Sequence, residues 1–149
     1  MGTHYRGKPN ERRALDALVK LRRSDAAVTE RLAVSLHETD LTENQFGVLE
    51  ALLHLGPLAP CDLGAKILTS RPNVTLVLDQ LEKRGFVRRE RSTADRRSLV
   101  IHLTPDGRKL IEKLFPGHVA VVVEAFAPLT AAEQEELARL CKKLGTGRG

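Results

Sequence analysis

A helix and a basic hairpin, joined without a spacer between Thr69 and Leu103, constrain this chain more than any other stretch. Ser70 is placed to cap a helix by accepting a backbone N–H. Pro72 suits a first turn, where no intrahelical donor is needed, and Gly85 is a good terminator. These marks predict a helix over 71–84. Inside it Val74, Val77, Leu78 and Leu81 fall at i, i+3, i+4 and i+7, a single apolar stripe. The outward face then carries Arg71, Asn73, Thr75, Leu76, Asp79, Gln80 and Lys83. A strand pattern follows over 86–91, then a polar turn over 92–97, then a β-branched-rich run over 98–103.

Charge narrows what such a unit is for. Between Lys83 and Arg97 stand seven Lys or Arg (Lys83, Arg84, Arg88, Arg89, Arg91, Arg96, Arg97) against two acids, Glu90 and Asp95. The whole chain has 24 Lys and Arg against 19 Asp and Glu, a net of +5, so outside this window it is neutral. A net charge gathered in one hairpin and the helix end before it is the footprint of a phosphate-binding surface. The competing reading is a solvated hairpin whose charges only keep an edge strand from aggregating.

The order LDQLEKRGFVRRERSTADRRS, then IHLTPDGRKL, resembles the winged helix-turn-helix of the MarR (multiple antibiotic resistance regulator) family of transcription factors. The matching signs are the junction Leu81, Glu82, Arg84, Gly85, Phe86, Val87 and Arg88, the tip Asp95, Arg96 and Arg97, and Leu103, Thr104 and Gly107 after it. The similarity of arrangement runs from about Leu41 to the C-terminal helix. It implies a mainly α fold with a small β-hairpin wing, a DNA-binding lobe over 41–103, and N- and C-terminal dimerisation helices over 11–37 and 104–145.

Composition agrees. At 149 residues the chain is expected to form one domain with a real core. Aromatics are only 3%, so that core must be built from Leu, Val, Ala and Ile. No apolar run approaches a membrane span and the N-terminus lacks the apolar core of a signal peptide, which predicts a cytoplasmic protein. Two cysteines, Cys61 and Cys141, are too few for a disulfide framework.

Along the chain, a helix is expected over 11–37, with Leu15, Leu18, Val19, Val28, Leu32 and Leu36 as its apolar positions; Arg22 to Asp25 interrupt that stripe. A second covers 42–55, with Thr42 and Gln45 at capping-box spacing and Leu41 and Phe46 placed as a hydrophobic staple. A short helix over 60–68 presents Leu63 and Ile67 inward, and the following turn completes a helix-turn-helix. After the hairpin, Thr104 and Pro105 open a helix that Pro116 and Gly117 should kink or break. A last helix starts at Thr130, with Glu133 in capping-box position, and is expected to bury Leu137, Leu140, Cys141 and Leu144. The flanking helices carry more apolar residues than a small winged lobe needs, and the simplest cover is a second copy of the chain. The resemblance implies the same, since the family's terminal helices interlock as a dimer; the alternative is that they fold back on their own lobe.

In a helix-turn-helix the second helix puts its N-terminal residues nearest the base edges. Here those are Arg71, Pro72, Asn73, Thr75 and Leu76. Arg71 suits guanine and Asn73 adenine, and Leu76 or the Thr75 methyl suits a thymine methyl. Leu76 alternatively is a stray exposed leucine. Ser70 with the helix N-terminus suits a phosphate, while Lys83 and Arg84 are expected at the DNA backbone. An arginine on a narrow hairpin can enter the minor groove. By resemblance, Asp95 orients one of Arg96 and Arg97 and the other reaches the groove; Arg88, Arg89 and Arg91 are expected to neutralise flanking phosphates.

The expected protein is thus a sequence-specific regulator of double-stranded DNA acting as a homodimer on a near-palindromic site. Repression and control by a small aromatic effector are implied by the resemblance. The alternative is an architectural protein in which the same arginines bind phosphates without reading bases. His37, His54 and His118 are candidates for lining an effector pocket, or are simply half-buried helix positions. Cys61, near a helix start, is a candidate redox switch, or else a core residue whose neighbour Asp62 opposes thiolate formation. The histidines show no metal-ligand spacing, and no nucleophile elbow, phosphate-cradling glycine loop or HExxH occurs, so neither cofactor, metal nor enzymatic activity is expected.

Overall fold

A computed structural model describes residues 4–95 and 97–147. Six helices and one hairpin follow in order: α1 (Pro9–Leu36), α2 (Glu43–Leu55), α3 (Pro60–Lys66), α4 (Arg71–Lys83), β1 (Val87–Arg91), β2 (Leu99–Leu103), α5 (Pro105–Phe126) and α6 (Ala131–Thr146). The architecture is the mainly helical one with a small wing. The chain divides into two compact units: Ser35 to His118, and the described parts of 1–34 with 119–149.

The first unit owns the core. Leu49, Leu63, Leu81, Ile101 and Ile111 are wholly buried in it, and the four stripe residues of α4 are all buried as its spacing predicts. The start of α5 packs into the same core, through Gly107 and Ile111. Thr42 and Gln45 form the capping box of α2, with Leu41 and Phe46 buried on either side of it. β1 and β2 pair antiparallel with Val87 opposite Leu103 and Arg89 opposite Ile101, and Leu58 bonds to the far side of Ile101 as a one-residue third strand.

Two small devices fix the wing to the lobe. Gly85 takes φ +78°, a left-handed turn that lets the chain leave α4 and enter β1 at once. Thr104 then ties the hairpin's exit to its entrance: its hydroxyl donates to the Gly85 carbonyl at 2.6 Å and its N–H to the Phe86 carbonyl at 3.1 Å. Gly107 lies directly on that strand entrance, where a Cβ would stand 2.0 Å from the Phe86 carbonyl oxygen.

The second unit is helical, and none of its described residues is buried. The α5–α6 turn is well made, with the Thr130 and Glu133 capping box in place and Gln134 donating to the carbonyls of Phe126 and Leu129. α5, which runs on from the first unit, is not ended at Pro116, where a kink or break is expected: one proline removes a single intrahelical bond that the turns on either side can outweigh. Among the described residues of α6 none is buried; Leu137, Leu140 and Leu144 are 37, 47 and 69% exposed, and Cys141 is exposed with them. A stripe of this kind specifies a face to be covered, and among the described residues it is left open.

Candidate nucleic-acid interface

The N-terminal turn of α4 is presented as the sequence requires. Its buried stripe leaves Arg71, Pro72, Thr75 and Leu76 exposed, Leu76 at 55%. Thr75 donates its hydroxyl to the Arg71 carbonyl at 3.2 Å, which leaves its methyl as the group to offer outward. Asn73 is half-buried, and its amide donates to the Thr69 hydroxyl at 2.6 Å, so one of its donors is used inside the protein. Ser70 occupies the N-cap, but its side chain makes no cap bond, contrary to expectation. Before it, Leu68, expected to end the short helix, sits at φ +54° and is 93% exposed, a strained leucine in the helix-turn-helix turn.

Strand alternation sorts the wing's arginines into different tasks. Arg89 shares the face of buried Val87, opposite Ile101, and there it meets α4: its guanidinium bonds to Asp79 at 2.5 Å and to Glu82, whose other oxygen accepts the Arg89 backbone N–H at 3.1 Å. Partial burial opposes the charge, but the two carboxylates outweigh it and raise the pKa of Arg89. The expected phosphate contact is therefore already committed to joining the wing to α4. Arg88, on the other face, pairs with Glu90, whose second oxygen lies 3.2 Å from His102 Nε2. Arg91 and Lys83 are exposed at the ends of their elements.

The wing tip is scaffolded by its own turn. The Ser92 hydroxyl accepts from the N–H groups of Ala94 and Asp95, and Asp95 accepts from the Arg97 N–H and the Ser98 hydroxyl, both at 2.9 Å. Those two bonds, the backbone one foremost, hold the Asp95 carboxyl below its usual pKa. Asp95 thus orients Arg97 through the backbone, with the Arg97 side chain exposed; Arg96 lies outside the described residues. Ser92 and Ser98 were missed from the sequence, although Ser-x-x-Asp in a polar turn is a legible signal.

The histidines separate. His118 and His54 gather on Phe115: ring centroids lie 4.7 Å apart for His54 and Phe115, 6.3 Å for Phe115 and His118, and 4.5 Å for His118 and Phe46. His118 Nδ1 is buried without a hydrogen-bond partner among the described residues. His37 is exposed and makes none of these ring contacts. Cys61 is exposed, with its thiol 3.9 Å from Asp62 Oδ1, so it is not the core residue of the alternative reading.

An exposed helix of groove-entering dimensions beside a rigid, basic hairpin is matched to a duplex, and this chain is a winged helix-turn-helix DNA-binding protein. The sequence profile of the MarR family matches residues 41–99. Over 133 residues, 89% of this chain and 86% of the relative, it is 35% identical to the uncharacterized HTH-type transcriptional regulator YkoM of Bacillus subtilis (strain 168). The chain belongs to the MarR family of transcriptional regulators and is not an enzyme. Among solved structures it is similar to Bordetella bronchiseptica BpsR, whose DNA binding is regulated by 6-hydroxynicotinic acid (28% identity, 87% of this chain and 98% of that one, TM-score 0.78). It is also similar to a mutant MarR from E. coli complexed with operator DNA (26% identity, 83% and 89%, TM-score 0.75).

Proposed function

We propose that the protein is a homodimeric, ligand-responsive repressor that reads a near-palindromic operator. The observation that carries the dimer is the set of apolar faces left open in one chain, on α1 (Leu15, Leu18, Leu21), late α5 (Val119, Val123) and α6 (Leu137, Leu140, Leu144). Two copies place two α4 helices in successive major grooves, with half-site centres about 34 Å apart. Arg71, Asn73, Thr75 and Leu76 then meet base edges, with Pro72 setting the first turn. Ser70, Lys83, Arg88, Arg91 and the wing-tip arginines Arg96 and Arg97 meet phosphate or the minor groove. Arg89 and Asp95 act behind them as positioning residues.

The Phe46, Phe115, His54 and His118 cluster favours a flat aromatic effector, with the open Nδ1 of His118 as the polar handle; the effector of BpsR is of that chemistry. A regulator of this kind works in the compartment that holds the genome. The deciding experiment is selection of bound duplexes from a random pool at near-physiological salt. An inverted repeat with centres about 10 bp apart is expected. Salt-sensitive binding with no enriched sequence would overturn base reading and leave an architectural protein.

A further inference from the structure

Arg84, at the end of α4, is exposed but makes its contacts within the chain. Its Nη1 donates to the Asp40 carbonyl at 2.7 Å, its Nη2 lies 3.4 Å from Asp40 Oδ2, and its guanidinium carbon stands 5.0 Å from the centroid of the Phe86 ring. One helical turn earlier, on the same face of α4, Gln80 accepts a 2.9 Å bond from Gln45, a buried side chain of the α2 capping box. Both bonds lead to one place, the connection between α1 and α2.

That connection is itself locked. Thr39 donates both its N–H and its hydroxyl to the Leu36 carbonyl, and its hydroxyl accepts the Leu41 N–H. Between them Asp40 takes φ +54°, which reverses the chain within one residue. Its carboxylate is 97% exposed, so the ion pair contributes little; the carbonyl bond and the aromatic contact do the holding. Phe86 in turn carries the carbonyl that Thr104 and Gly107 press upon, so Arg84 spans the α1–α2 turn and the base of the wing.

We propose that Asp40 and Arg84 are positioning residues for DNA binding: the left-handed α1–α2 turn, through its carbonyl, holds the end of the recognition helix and the wing base in the orientation that binds the duplex. This rests on α4 being the DNA-facing helix. It replaces a direct phosphate contact for Arg84.

The test is affinity of the full chain for a selected duplex across a salt series, with amide exchange at residues 84–86. Arg84→Ala is expected to weaken binding about tenfold, the worth of one charge-assisted hydrogen bond, with the salt slope unchanged and exchange accelerated. Arg84→Lys, which can donate to the same carbonyl, recovers most of the affinity. Asp40→Gly keeps the turn and stays within about twofold of the parent, whereas Asp40→Val, strained at this φ, reproduces the loss and adds nothing to Arg84→Ala. A slope reduced by about one in Arg84→Ala makes Arg84 a phosphate ligand and overturns the proposal, as does unchanged affinity. Should Asp40→Val fail to fold, the slope and exchange of Arg84→Ala decide alone. If the parent shows no sequence preference, base reading by α4 fails, and the same variants on random duplex still judge the positioning role.

Discussion

α4 and α6 carry the same kind of apolar stripe and meet opposite fates. Val74, Val77, Leu78 and Leu81 of α4 are 0 to 4% exposed, while Leu137, Leu140 and Leu144 of α6 are 37 to 69% exposed. Both helices are properly started, α4 by a proline in its first turn and α6 by a full capping box. The difference therefore does not lie in helix formation. It lies in what is available to cover the face: the lobe supplies α2, α3, the hairpin and the start of α5, and the described residues of the flank supply no equivalent core. The α4 face is covered within its own unit, and the α6 face is left open among the described residues.

Truncating one leucine in each stripe breaks the comparison most directly. Leu81→Ala leaves a cavity under α4 and is expected to cost roughly 2–5 kcal/mol in denaturant unfolding, at any protein concentration. Leu140→Ala is expected to leave the lobe's transition unchanged in dilute protein and to lower the midpoint only where the dimer is populated, because its loss is linked to assembly. Equal, concentration-independent losses would show that α6 is covered by its own chain.

Gly107→Ala sharpens the same contrast from the backbone side. Its methyl would meet the Phe86 carbonyl at 2.0 Å, so a loss of about 3 kcal/mol is expected, concentrated in the wing and the start of α5. Gly117→Ala, nearer the flank in the same helix with nothing within 4 Å, serves as its control and is expected to stabilise slightly. Below these come the two capping boxes. Thr42→Ala and Thr130→Ala each remove one cap, worth about 1 kcal/mol. The first is expected in the global unfolding of the lobe and the second only as fraying of α6, read by amide exchange.

The sequence made the lobe legible because its signals were local and agreed: the α4 stripe, the Thr42 box, the Gly85 terminator and the hairpin are each written within a few residues. The site was legible as a charge cluster but not as a division of labour. Treating Arg88, Arg89 and Arg91 alike ignored the two-residue period of a strand, which puts Arg89 on the face of Val87 and within reach of Asp79 and Glu82. Other parts could not be read, because they join distant segments. Arg84 finds Asp40, Gln45 finds Gln80, and Thr104 finds Gly85, and no spacing rule links those positions. Pro116 shows the opposite case, a strong local signal that does not end the helix.

The smallest expected effect compares two carboxylates, one in each region. Asp95 holds the wing turn through the Arg97 N–H and Ser98, and Glu133 closes the α6 box on the N–H and hydroxyl of Thr130. Both pKa values are lowered, Asp95 from 3.8 and Glu133 from 4.5, in each case by a backbone hydrogen bond first. A depressed folded pKa means stability that is fully present above the unfolded value and lost as pH falls through the folded one. Neither region should therefore change between pH 7 and about 5. Further acidification should disturb the amides of Thr130 and Glu133 below 4.5 and those of Arg97 and Ser98 below 3.8. Amide chemical shifts followed through an acid titration check it. Asp95→Asn should reproduce the acid form of the wing at neutral pH and leave α6 untouched. An Arg97 amide indifferent both to that substitution and to acid would mean that the tip is held by Ser92 alone.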